Sequence, residues 1–97
     1  SFEPFATDNY FEQYVYEKPT VFVVQGKEVV VTSRRLADAL ANLSEQRRTV
    51  LLMNFFLGYS ERKIGNEYGR SRSTVNYWKL AALKQLRKEL EKTKHEE

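Results

Sequence analysis

The rhythm of apolar and polar positions changes once along this chain, near Thr32-Ser33. Before that point, TVFVVQGKEVVV (residues 20–31) sets two β-branched runs around Gln25-Gly26-Lys27-Glu28. Gly26 can supply the positive φ of a tight turn, so the pattern predicts a β-hairpin with strands at about Val21–Val24 and Glu28–Val31. An isolated two-stranded hairpin is marginal in water. That favours a flap packed on helices over an edge strand that docks a partner chain. Beyond Ser33 the spacing is helical. Thr32 or Ser33 can cap a helix over Arg34–Asn42 with Leu36, Ala37, Leu40 and Ala41 inward. Ser44 caps a helix over Glu45–Leu57, where Val50, Leu51, Met53, Phe55 and Phe56 predict a buried strut that ends at Gly58. Ser60 caps Glu61–Tyr68, with Ile64 and Tyr68 inward.

The stretch from Ser60 to Arg87 holds the most information. Gly69 lies just past a helix end, where a left-handed residue is easiest for glycine. Gly65 follows Ile64 at the closest approach expected between the two helices, where a larger side chain would clash. Ser71 can cap a last helix from Arg72 to about Lys92, whose inner stripe is Val75, Trp78, Ala82, Leu83, Leu86 and Leu90. Two helices joined by a short glycine turn make a helix-turn-helix, whose second helix enters the major groove of DNA. On the helical wheel Ser73 and Tyr77 fall opposite the stripe, with Arg72 and Asn76 on its flanks. Arg72 can chelate guanine, Asn76 can chelate adenine, and Ser73 and Tyr77 offer hydroxyls. Arg62, Lys63, Arg70, Thr74 and Lys79 are better placed for phosphates, which position a domain without reading sequence. Trp78 lies in the apolar stripe and reads as core.

From about Leu36 to Leu90 the chain resembles region 4 of sigma-70 family RNA polymerase sigma factors, especially the extracytoplasmic-function group. LSEQRRTVLLMNFFLGYSERKIG is similar to that family's helical arrangement, and GRSRSTVNYWKLAALKQLRK to its promoter-reading helix and tail. The resemblance implies a mainly α, four-to-five-helix domain that reads the −35 promoter element through Arg72, Ser73, Asn76 and Tyr77. Double-stranded DNA is then the expected partner, with core RNA polymerase as a further one. Arg70 departs from the pattern, since an apolar residue is usual there. The hairpin-plus-region-4 layout also resembles small sigma-like proteins of mobile elements, which implies a stand-alone regulator. Quorum-sensing response regulators share much of the pattern, but their second helix is usually shorter than the unbroken run seen here.

Charge sharpens this picture. Residues 1–33 carry two lysines against five acids, whereas residues 34–97 carry fourteen Lys and Arg against eight acids. A basic back half suits a polyanion. The chain therefore divides into an acidic, aromatic segment with the hairpin (1–33), a helical DNA-binding unit (34–92) and a charged tail (93–97). In the first of these, Tyr10, Phe11 and Tyr14 share a helical spacing between Pro4 and Pro19. There is no cysteine, and no apolar run approaches the ~20 residues of a membrane helix, so a cytoplasmic domain without a membrane segment is expected. The single histidine, His95, sits in the charged tail, and no glycine-rich phosphate loop or metal-ligand cluster appears. No enzyme activity, cofactor or metal is expected. A protein-interaction or RNA-associated adaptor that keeps the helix-turn-helix without specific readout is the alternative.

Overall fold

A computed structural model describes residues 18–96, with side chains as far as Lys92. The expected aromatic face of Tyr10, Phe11 and Tyr14, and the surroundings of His95, lie outside what is described. Strands β1 (Thr20–Val24) and β2 (Lys27–Val31) pair antiparallel, with Val24 opposite Lys27 and Thr20 opposite Val31. Glu28 lies in the second strand as expected, and Lys27, expected in the turn, belongs to that strand as well. The turn is only Gln25-Gly26, at φ 51° and 77°. Positive φ at both positions matches the right-handed twist of the strands. Val24, Val29 and Val31 face the core and are buried, with Phe22 packed against them. The hairpin is thus a flap on the helical core, and its outer face shows Val21, Val23 and Val30.

Four helices follow among the described residues. Helix α1 (Arg34–Ala41) is capped by Ser33, whose Oγ accepts the Leu36 N–H at 3.1 Å. It packs on both β2 and the last helix, so its buried arc includes Ala39. Ala41, expected inward, is exposed at the helix end. Helix α2 (Glu45–Leu51) is capped by Ser44 and runs into a π-helical stretch, Leu52–Phe56. There Leu57 N–H reaches back five residues to Leu52 O at 3.0 Å. The wider turn advances the chain by less rotation per residue and changes the phase of the buried face. Val50, Leu51, Leu52 and Met53 are buried in succession, while Phe55 and Phe56 are 57% and 43% exposed. The expectation that both phenylalanines face the core is corrected accordingly. Gly58 follows at φ 73°, and the Asn54 amide donates to Tyr59 O at 2.8 Å, tying off the freed backbone.

Helix α3 (Glu61–Tyr68) is capped by Ser60, whose Oγ accepts the Lys63 N–H at 3.0 Å. Ile64 is fully buried. Tyr68 is not inward as expected: it is 43% exposed, lying on the core's rim with its hydroxyl toward Met53 Sδ and its ring edge-on to Trp78. Helix α4 (Arg72–Glu96) is longer than the motif needs, and continues past the predicted end at Lys92. Val75 and Ala82 are fully buried, with Trp78, Leu83 and Leu86 packed against the same core. Its second half is a strut. Arg35 donates to Leu90 O at 2.8 Å, Asn42 to Glu89 Oε2 at 3.4 Å, and Arg47 to Gln85 Oε1.

Candidate nucleic-acid interface

The site begins with a glycine pair. Gly69 ends α3 at φ 64°, and its N–H and that of Arg70 both bond Gly65 O, the latter at 2.8 Å. A Cβ on Gly65 would lie 2.5 Å from Arg70 O, so only a bare α-carbon lets the turn close this tightly. The Arg70 side chain is exposed, which is why a charge is tolerated where the resembling pattern has an apolar residue. Ser71 then starts α4: its Oγ accepts the Thr74 N–H at 3.2 Å and lies 3.0 Å from Thr74 Oγ1. With Val75 buried on the inner side, the first two turns of α4 hold the opposite side to solvent.

The four residues expected at bases divide into two pairs. Ser73 and Tyr77 stand outward, Tyr77 at 71% exposure. Arg72 and Asn76 instead turn toward α3, where Glu61 collects them. Asn76 Nδ2 donates to Glu61 Oε2 at 2.8 Å, and Arg72 Nε lies 3.7 Å from Oε1. Lys79 joins the same carboxylate at 3.5 Å and also sits 5.1 Å from the centre of the Phe55 ring. The Asn76 hydrogen bond is the main reason the Glu61 carboxyl is held below the usual glutamate range. Partial burial opposes it, and the Lys79 and Arg72 charges add to it. Arg72 keeps 69% of its side chain exposed, so its ion pair is a loose one. Asn76 and Lys79 are half-buried.

The expected phosphate-contacting residues are also spread. Arg62, at the start of α3, and Arg70, in the turn, are both exposed. Lys63 lies over the Tyr59 ring at 4.1 Å, and Lys27 of the hairpin donates to the Tyr59 hydroxyl at 2.7 Å. Gln25 reaches Glu67 at 3.4 Å, so the hairpin tip braces the outer side of α3. Thr74 is half-buried, its hydroxyl already engaged with Ser71. Sequence reasoning missed Glu61. At the first position of a helix a glutamate reads as a partner for the helix dipole. Nothing in linear spacing marks a residue fifteen positions away as its hydrogen-bond partner.

Fold and site together define a helix-turn-helix domain with a polar leading face on its second helix. Residues 33–86 match the family model described as Sigma-70, region 4. That match spans more than half of the chain, and the chain belongs to this family of DNA-binding, transcription-related domains that work with DNA and RNA polymerase. Comparison with curated proteins gave no match. Among the described residues, no helix is long and apolar enough to cross a membrane.

Proposed function

We propose that this domain reads a promoter element, of the −35 type, with the first two turns of α4 in the major groove. Arg72, Ser73, Asn76 and Tyr77 face base edges, and Arg62, Lys63, Arg70, Thr74 and Lys79 face the phosphates, in the cytoplasm and with core RNA polymerase as the second partner. The observation that carries this is the division of α4's leading turns. Val75 is fully buried, while Arg72, Ser73 and Tyr77 are exposed on a helix whose entry is fixed by the Gly65–Arg70 contact. Arg72 is the strongest reader, because its guanidinium leaves a loose surface pair to chelate a guanine. We assign residues 34–92 to this unit, with the hairpin as its brace.

Selection of bound duplexes from a random pool, repeated with core polymerase present, tests the proposal. A defined consensus is the expected result, sharpened by polymerase; an unselected pool under both conditions overturns it. The outward valines of the hairpin favour a protein-interaction adaptor as the second reading, and that reading gains if the pool stays random.

A further inference from the structure

We infer that Glu61 is a positioning residue for sequence readout: it fixes how Asn76 is presented to a base and keeps the interface from binding duplexes indiscriminately. This rests on the reading that α4 enters the groove. Glu61 starts α3, yet its side chain, only 16% exposed, crosses the turn to meet Arg72, Asn76 and Lys79 of α4. It is the acid at the centre of a surface that otherwise gathers cations and hydroxyls.

Two consequences follow from its chemistry. An ionised carboxylate only accepts hydrogen bonds, so the nitrogen of the Asn76 amide, not its oxygen, must face Glu61. That choice removes the amide's freedom to flip. One N–H is spent on Glu61, leaving one N–H and the carbonyl oxygen, the donor–acceptor pair that adenine requires in the major groove. A flipped amide would set oxygen against oxygen. Secondly, the carboxylate competes with phosphates for Lys79 and Arg72. Contact with any DNA must displace it from at least one partner or place its charge near the backbone. The cost is the same for every sequence, whereas only the right base repays it through Asn76. Glu61 thus lowers general affinity and raises discrimination.

The test uses the full chain and the duplex recovered by selection, with the base pair assigned to Asn76 changed one base at a time. Affinities are measured for wild type, Glu61→Ala, Glu61→Gln, Asn76→Ala and the Glu61→Ala/Asn76→Ala pair, with folding checked by circular dichroism. Wild type should discriminate at that base pair by roughly 5- to 100-fold, the range of one bidentate contact. Glu61→Ala should lose most of that preference while binding unrelated duplex several-fold more tightly and with a steeper salt dependence. Adding Asn76→Ala to it should change little more. Glu61→Gln, which keeps the size but can also donate, should show the same gain on unrelated duplex with the fold intact. A Glu61→Ala protein that keeps the wild-type preference, or that weakens on all duplexes alike, overturns the role of Glu61 alone. A wild type with no preference at any base pair overturns the DNA reading and this inference with it.

Discussion

Gly65→Ala isolates the geometry of the turn from every other feature of the domain. In an ordinary helix interior the change gains about 1 kcal/mol, because alanine loses less backbone freedom on folding. Here the new methyl would sit 2.5 Å from Arg70 O, a backbone atom that cannot swing aside as a side chain would. Nor can the turn simply retreat, since the Arg70 N–H is bonded to Gly65 O at 2.8 Å and Gly69 N–H shares that acceptor. Forcing the methyl in costs about 1–3 kcal/mol in overpacking, and weakening the turn's hydrogen bond about 1 kcal/mol more. After the propensity gain, the net loss is about 1–3 kcal/mol. For a domain of this size that lowers Tm by roughly 5–20 °C. Urea titration followed by far-UV circular dichroism measures it, with Asn66→Ala as the control. Asn66 is the exposed neighbour in the same helix, and its replacement should gain a few tenths of a kcal/mol. A Gly65→Ala protein as stable as the Asn66→Ala control would refute the reasoning.

Three further outcomes are expected. Phe55→Ala should cost less than about 1 kcal/mol of stability, since the ring is 57% exposed and has Lys79 Nζ over it at 5.1 Å. A loss of about 3–5 kcal/mol in urea would mean a core phenylalanine and no phase change at the π-helical stretch. Glu61 ionises below the usual glutamate range, so the stability it adds is complete above the unfolded-state value and fades as pH falls through the lowered folded-state value. Glu61→Gln should therefore flatten the acid-side decline, seen in thermal melts from about pH 5 to pH 3; an unchanged slope would contradict the pairing. Lys79→Ala should weaken binding to all duplexes alike and reduce the slope of log affinity against log salt by about 1, measured by fluorescence anisotropy; a sequence-dependent loss would place Lys79 at a base instead.

Much of this architecture was legible because it is written in local chemistry. Ser33, Ser44, Ser60 and Ser71 each lie just before a helical run, and each side chain accepts the N–H three residues on. Gly65 and Gly69 carry steric requirements that hold wherever the rest of the chain goes. The region that misled was LLMNFFL, where almost every position is apolar and no period reveals which face is buried. A π-helical stretch there turns Phe55 and Phe56 out, and no residue type announces it. The candidate site was legible as a list of donors but not as an arrangement. Arg72, Asn76 and Lys79 follow from one helix viewed alone, whereas Glu61 comes from the helix before it. Tertiary partners across a turn have no sequence period. The hairpin's place was likewise set by contacts such as Lys27 with Tyr59, thirty-two residues apart.

The central claim is that the leading turns of α4 read bases, and Arg72→Ala on the selected duplex tests it most directly. Affinity is measured for wild type and variant against that duplex and against each single-base change in it. The account predicts a loss of about 1–3 kcal/mol on the selected duplex, with preference relaxed at one G·C pair and kept elsewhere. Unchanged affinity with unchanged preference at every position would contradict it.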